Sequence, residues 1–324
     1  MNKIGIITSG GDAPGMNAAI RAITKTAMHY DIHPIGIKDG YDGLMNGYFV
    51  NLEYTDVNNI IQRGGTILGS ARSPEFKLKE QRKKAIKNIQ KEGIEGLIVI
   101  GGDGSFTGAL KFAKEANIPV IGIPGTIDND LYGTESTIGY DTALNTIVSS
   151  IDNIRDTASS HQRIFFVEVM GRDSGFLALN SAIASGAESV LIPETITTIE
   201  SLAEEIRTQS KGRRSSIIIV AEGEKSGGAV DIMRQVQPHL SEYELRATIL
   251  GHIQRGGSPT YFDRSLATRS GIKAVELLRE GVTQKMVGIK ADELTLVHLK
   301  DAVDKHSIPN LKKEDILKKL LTKG

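Results

Sequence analysis

Six short runs rich in Ile, Val and Leu, most of them closed by a glycine-rich or acidic stretch, limit what this chain can fold into. They are "IGIIT" (4–8), "GLIVI" (96–100), "VIGI" (120–123), "IFFVEVM" (164–170), "VLI" (190–192) and "IIIVA" (217–221). Continuous β-branched runs of this length read as strands buried on both faces of a parallel sheet. Helical stripes separate them. Ala18, Ala19, Ala22, Ile23 and Ala27 form one, and Ala85, Ile86 and Ile89 a second. Ala143, Leu144, Ile147, Val148, Ile151 and Ile154 form the longest, at the three-and-four spacing of an amphipathic helix. Strands alternating with helices predict a doubly wound α/β fold with right-handed crossovers.

With 324 residues, the chain is long enough for about two such domains. No Pro/Ser-rich linker divides it, and a helix over about 141–158 is the expected bridge. The pentapeptide "IQRGG" occurs at 61–65 and again at 253–257; a single repeat of five leaves internal duplication open. The lysine-rich end, "LKKEDILKKLLTKG", reads as a solvated amphipathic helix. Lys plus Arg equals Asp plus Glu at 39 each, so the basic excess of a nucleic-acid binder is missing. No apolar stretch approaches the ~20 residues that span a bilayer. Cysteine is absent, which excludes disulfides, thiolate zinc sites and a cysteine nucleophile. Because the N-terminus enters a strand pattern at once, a cytoplasmic protein is expected.

Ligands of open α/β sheets bind at the carboxyl ends of strands, which directs attention to three loops. "TSGGDAPGMN" (8–17) leads glycines into a helix, where backbone N–H groups and the helix dipole suit a phosphate. "GGDGSFTG" (101–108) encloses Asp103 in glycines; a carboxylate there suits phosphate only with a divalent cation between them, and Mg²⁺ commonly takes one or two carboxylates plus phosphate oxygens. "PGTIDND" (124–130) places Asp128 and Asp130 two apart, so that an extended backbone would aim both to one side. Taken singly, each loop has a plainer reading: an ordinary strand-to-helix turn, an N-cap for Asp103, or an Asx turn for the aspartates. Together the three point to a nucleotide or sugar-phosphate site. No Gly-Lys pair exists, which excludes a P-loop. A dinucleotide reading of Gly102-x-Gly104-x-x-x-Gly108 lacks the acid that should end the next strand. Arg72, Arg163, Arg172, Arg246 and Arg255 lie beside glycines or strand ends, and guanidinium donors match phosphate oxygen pairs. From this chemistry alone, the acceptor is a phosphorylated small molecule.

The ordered set "SGGDAPGMN", "GGDGS", "PGTIDND", "GRDSG", "AEG" and "GHIQRGGSPTYFDR" resembles the ATP-dependent 6-phosphofructokinases of bacteria, from about residue 3 to 275. The resemblance implies two Rossmann-like, mainly parallel-sheet domains with the active site in the cleft between them. It places an ATP domain at 1–138 plus about 256–304, and a fructose 6-phosphate domain at 139–255 plus about 305–324. It implies a glycolytic, Mg²⁺-dependent homotetramer that moves the γ-phosphoryl of ATP to the C1 hydroxyl of fructose 6-phosphate, with active sites shared between subunits. The nucleotide side carries over onto Gly11, Tyr41, Arg72, Ser73, Asp103, Gly104, Ser105 and Gly108, with Asp103 holding the metal. The sugar side carries over onto Thr126, Asp128, Asp130, Met170, Gly171, Arg172, Glu222, His252 and Arg255, with Arg163 and Arg246 reaching a neighbouring subunit's site. Asp128 resembles the general base; Gly11, Arg72, Thr126 and Arg172 resemble groups around the phosphoryl in flight.

Relatives that use pyrophosphate carry Asp at the position of Gly104 and Lys at that of Gly125. Glycine at both is expected to leave room for a whole nucleotide. The alternatives are a pyrophosphate-dependent enzyme and an idle sensor of the same fold; a sensor would be expected to lack Asp103, Asp128 or Arg172, and all are present. An effector pocket between subunits, of the kind that takes ADP or phosphoenolpyruvate, would use Arg21, Lys25, Arg155, Gly186, Glu188, Lys211 and Arg213. Lys25 and Lys211 stand where Arg is common, and Tyr54 where some members use another Arg. Lysine keeps the charge but loses the two-pronged donor geometry. Phe176 stands where the family usually has Asp.

Overall fold

The computed structural model describes residues 1–158, 163–210 and 215–320. The chain forms two compact units: residues 1–127, 131–142 and 255–307 make the first, and residues 128–130, 143–254 and 308–324 the second.

The first unit begins β1 (Lys3–Ser9), α1 (Met16–His29), β2 (His33–Ile37), α2 (Gly40–Asn46) and β3 (Phe49–Asn51). It continues with α3 (Lys79–Glu92), β4 (Gly96–Gly101), α4 (Asp103–Ala116), β5 (Val120–Pro124) and the start of α5 (Tyr140–Ala158). The second unit supplies β6 (Arg163–Val169), α6 (Phe176–Ser185), β7 (Ser189–Leu191), α7 (Ile199–Ser210), β8 (Ser215–Ala221), α8 (Ala229–Val236) and β9 (Glu244–Ile249). The chain then returns to the first with α9 (Tyr261–Arg279), β10 (Lys285–Lys290), β11 (Glu293–His298) and α10 (Leu299–Asp304), and closes in the second with α11 (Glu314–Leu320).

Among the described residues the first sheet has strand order β11-β10-β5-β4-β1-β2-β3, and the second β7-β8-β6-β9. All pairs of the second sheet are parallel. In the first, β3 and β11 run antiparallel at the two edges. These edge strands, with β2, β9 and β10, lack the long apolar run that marks a strand buried on both faces. β11, "ELTLVH", has no fully buried residue and mixes half-buried with exposed positions.

The six apolar runs fall in β1, β4, β5, β6, β7 and β8. Leu97, Val99, Ile7 and Ile35 project into one core with Phe106 and Phe112 of α4. Fully burying such a side chain contributes about 1.5–3 kcal/mol. The alanine stripe of α1 serves close helix packing. Ala22 stands so near Gly271 of α9 that a Cβ at 271 would lie 2.8 Å from Ala22 Cβ. In the second unit Phe166, Ile218 and Val220 pack against Leu202, Ile206 and Ile232 of the covering helices. On α5, Ala143, Ile147 and Ile151 are buried, whereas Leu144, Val148 and Ile154 are half-buried. No helix among the described residues is long and apolar enough to cross a membrane.

Candidate active site

Parallel strands end together, so in the first unit the loops after β1, β4 and β5 are neighbours by construction. β4 pairs with β1 up to Ser9↔Gly101, and with β5 up to Gly101↔Pro124. Side chains then tie the loops beyond the ladder. Ser105 Oγ donates to the Ser9 carbonyl at 2.9 Å, and Ser70 Oγ donates to the Gly10 carbonyl at 2.7 Å. Thr126 lies beside Gly102: a Cβ at 102 would stand 3.7 Å from Thr126 Cβ. Thr137 Oγ1 donates to the Thr126 carbonyl at 2.5 Å. The structure thus brings together the Gly11, Ser105 and Thr126 loops predicted from sequence.

Asp103 opens α4, while Gly102 occupies the cap position without a side-chain bond. The capping alternative for Asp103 therefore fails. At the first helical position, the carboxylate faces the positive end of the helix dipole. Gly104 is exposed, and a Cβ there would meet nothing within 4 Å. Among the described residues no three His, Cys, Asp or Glu side chains cluster as a metal cage. A single carboxylate at the mouth of a glycine turn fits Mg²⁺ held mainly by phosphate oxygens and water.

Tyr41 is 4% exposed. Its ring stacks on Phe76 with centroids 4.0 Å apart, its hydroxyl donates to the Ser105 carbonyl at 2.5 Å, and burial pushes the phenol pKa up. Gly108 lies under the same ring, where a Cβ would be 2.9 Å from Tyr41 Cε2. Arg72 is exposed in the same unit, and Ser73 Oγ donates to the Asp42 carboxylate.

Two sequence expectations change. Asn129 has φ 55°, so the backbone between Asp128 and Asp130 is not extended and the same-side argument does not hold. Asp128 is buried at 3% exposure, whereas Asp130 is half-buried. Gly125 also departs from its expected reason. A Cβ there would lie 2.9 Å from Ile100 Cγ2 and 3.3 Å from Met16 Cε, inside apolar packing. Glycine at 125 answers close packing; of the two, Gly104 is the one that borders open space.

In the second unit, β6 ends at Met170-Gly171-Arg172. Arg172 is an exposed non-glycine residue with φ 53°, a left-handed conformation that costs energy unless neighbours impose it. Glu222, exposed beyond β8, accepts the Arg172 backbone N–H at 2.7 Å, and Ser174 N–H closes a turn onto the Gly171 carbonyl. Gly223 lets the Arg172 carbonyl approach, for a Cβ at 223 would come within 1.9 Å of that oxygen. His252 is exposed on a one-turn 3-10 helix, Gly251–Arg255. Arg163 and Arg246 flank Glu244: Arg163 Nε donates to it at 2.9 Å and Arg246 pairs with it as well. These guanidinium groups hold the Glu244 carboxyl below its ordinary range, chiefly through the Arg163 bond.

Arg255 counts with the first unit. Its Nη1 donates to the Asp12 carbonyl at 3.2 Å and would stand 2.1 Å from a Cβ at Gly11. Gly11 thus gives the guanidinium room to lie on the loop backbone. The two "IQRGG" copies also meet here: a Cβ at Gly64 would come within 2.4 Å of the Gly257 carbonyl oxygen. The first copy is irregular and the second begins in a 3-10 turn, so they are not equivalent pieces of one repeated element.

The expected effector residues divide between the units. On α1, Lys25 Nζ stands 3.7 Å from the Tyr54 ring centroid; Lys25 and then Arg21 lower the pKa of that phenol. In the second unit Arg155 pairs with Glu188 at 3.6 Å and donates to the Gly186 carbonyl at 3.1 Å. Lys211 and Arg213 lie outside the described residues. Phe176 opens α6; nothing in the structure explains its replacing Asp.

Sequence reasoning missed three buried polar groups beneath these loops. Asn17 donates to the Arg63 and Gly64 carbonyls and accepts the Ile67 N–H. Gln254 links two loops of the second unit. Asp263 accepts Gly139 N–H and Thr142 N–H, both at 2.8 Å, and the Thr142 hydroxyl at 2.5 Å. Burial raises the Asp263 pKa to about 6, against the lowering effect of those three donors. A signal for it was present: Thr260-x-x-Asp263 is a capping-box pattern, and Thr260 does cap α9 by accepting the Asp263 N–H.

Two mainly parallel α/β units whose strand-end loops gather glycines, carboxylates and arginines define a doubly wound protein built to receive anionic ligands. The family described as Phosphofructokinase matches residues 3–278, and the chain belongs to that family. It is 55% identical over 301 residues to the ATP-dependent 6-phosphofructokinase 2 of Bacteroides thetaiotaomicron, covering 93% of this chain and 92% of that one. The phosphofructokinase structure from Saccharomyces cerevisiae superposes with a TM-score of 0.88 at 36% identity, over 99% of this chain; this chain spans 47% of the yeast one. A pyrophosphate-dependent phosphofructokinase from Marinobacter aquaeolei shares the fold at 20% identity, with a TM-score of 0.85, 100% of this chain and 92% of that chain covered.

Proposed function

We propose that this chain is an ATP-dependent 6-phosphofructokinase, transferring the γ-phosphoryl of ATP to the C1 hydroxyl of fructose 6-phosphate to give fructose 1,6-bisphosphate and ADP. The observation that carries the reading is the 55% identity, over 93% of the chain, to a relative of that name. The glycine at 104, open to space, supports a nucleotide over pyrophosphate as donor.

In this reading Asp128 accepts the proton of the C1 hydroxyl as O1 attacks the γ-phosphorus and the bond to the β,γ-bridging oxygen breaks. Arg72 and Arg172 offset charge on the transferring group, with the Gly11 N–H and the Thr126 hydroxyl as donors. Such transfer depends mainly on positioning and charge neutralisation. Asp103 would hold Mg²⁺, which when bound neutralises phosphate charge. Tyr41, Ser73, Ser105 and Gly108 shape the nucleotide side; Asp130, Met170, Gly171, Glu222, His252 and Arg255 receive the sugar phosphate. Arg163 and Arg246 reach a neighbouring copy in a homotetramer. A glycolytic role in the cytoplasm and an effector site for ADP or phosphoenolpyruvate at Arg21, Lys25, Arg155, Gly186, Glu188, Lys211 and Arg213 complete the reading.

A coupled assay with fructose 6-phosphate, comparing ATP with pyrophosphate, tests it. Turnover with ATP is expected. Faster turnover with pyrophosphate would overturn the donor, and binding of both ligands without turnover would make the protein a sensor.

A further inference from the structure

Beyond the last rung of the β6/β9 ladder the backbone of the second unit loses its own way of holding two loops together. The parallel pairing runs to Glu168↔Ile249, and Leu250 N–H adds one more bond, to the Glu168 carbonyl. After that, the chain beyond β6 continues into Met170-Gly171-Arg172, while the β9 side coils into the 3-10 turn bearing His252. A 3-10 turn cannot extend a ladder, because its amides and carbonyls no longer face the neighbouring strand. Gln254 supplies the missing rung from its side chain. The residue is 0% exposed. Its Oε1 accepts the Met170 N–H at 3.0 Å, and its Nε2 donates to the Gly251 carbonyl at 3.0 Å. A carboxamide offers acceptor and donor at fixed separation at any pH, without carrying a charge. A buried polar network of this kind fixes geometry only when every member is paired.

We propose that Gln254 is a positioning residue for the sugar phosphate: its buried carboxamide sets the spacing between the Met170–Arg172 loop and the turn that carries His252. What those loops bind rests on the functional reading above; the link itself does not. The carboxamide is buried and bonds backbone groups, so its effect passes through the loops it joins.

Two variants and two readouts test this on the full-length protein. In Gln254→Leu the KM for fructose 6-phosphate should rise about tenfold or more, with the KM for ATP changed by less than about twofold. Hydrogen exchange of the Met170 amide should quicken by about tenfold or more, with or without ligand. Gln254→Glu has the same shape but must be protonated to donate to Gly251. Its KM for fructose 6-phosphate should therefore lie nearer the parent's at about pH 6 than at about pH 8.5. A residue with only a structural role would lower Tm and leave the KM values and their pH dependence alone. That result, an equal rise in both KM values, or unchanged Met170 exchange would overturn the proposal. If Gln254→Leu does not fold, the pH comparison in Gln254→Glu decides. If the parent itself does not turn over fructose 6-phosphate, the functional reading fails, and exchange at Met170 still tests the link.

Discussion

The two units hold their loops in different ways. In the first, hydroxyls and amides bond the loops to the protein's own backbone: Ser105 to Ser9, Ser70 to Gly10, Thr137 to Thr126, and Asn17 to three partners in residues 63–67. Many of these groups are buried, and the glycine turns they hold are packed from beneath. In the second, the Arg172 N–H is held by an exposed carboxylate at Glu222 with one glycine close by, and the buried Gln254 ties the preceding Met170. The lesson is a division of consequence. Damage to the first framework should appear mainly as lost stability, and damage to the second mainly as lost grip on substrate.

The largest effect should separate chemistry from both. Asp128→Asn should lower kcat by about 10²–10⁴ while calorimetry still finds fructose 6-phosphate bound; near-parental kcat would remove Asp128 as the base. Asp263→Asn probes the first framework through pH. The folded pKa of Asp263 is raised to about 6, so the folded state holds the proton more tightly than the unfolded chain does. The stability this confers is complete below about pH 4 and is lost as pH rises through about 6, amounting to about 3 kcal/mol. Denaturant titrations of the parent and of Asp263→Asn should diverge over that window, and parallel curves would show that the carboxyl is not titrating there. Asn17→Ala should cost about 1–3 kcal/mol, since it leaves two carbonyls and one N–H of residues 63–67 without their partner; a large rise in the KM for fructose 6-phosphate at unchanged stability would invert the division. The smallest effect belongs to Glu244→Gln, which frees Arg163 and Arg246 from a competing carboxylate. Fructose 6-phosphate should then bind about twofold to fivefold more tightly, with no resolvable change in Tm. Weaker binding would mean that Glu244 orients those arginines instead of competing for them.

How legible each part was follows from the same physics. The interior strands declared themselves, because β1, β4, β5, β6 and β8 are buried almost throughout and need unbroken apolar sequence. The edges did not, because β3 and β11 are buried on one side at most and carry weak signals. Motif order placed Gly11, Ser105 and Thr126 in neighbouring loops, since parallel strands must end side by side. It could not see that Asn129 turns the backbone between two aspartates, or that a Cβ at Gly125 would point into Ile100. Asn17 and Gln254 were opaque for another reason. A polar residue amid glycines looks the same whether it will be exposed or buried, and only tertiary packing decides.

The order of strands in the first sheet also bears on how the chain comes off the ribosome. β5 lies between β4 and β10, yet roughly 160 residues, including most of the second unit, separate Pro124 from Lys285. At about 5–20 residues per second, synthesis leaves the apolar "VIGIP" edge without its partner strand for roughly ten to thirty seconds. During that interval the nascent chain presents an open, sticky strand to its neighbours on the polysome. All four strands of the second unit's sheet are made within that interval, so that sheet can form while the first still waits for β10.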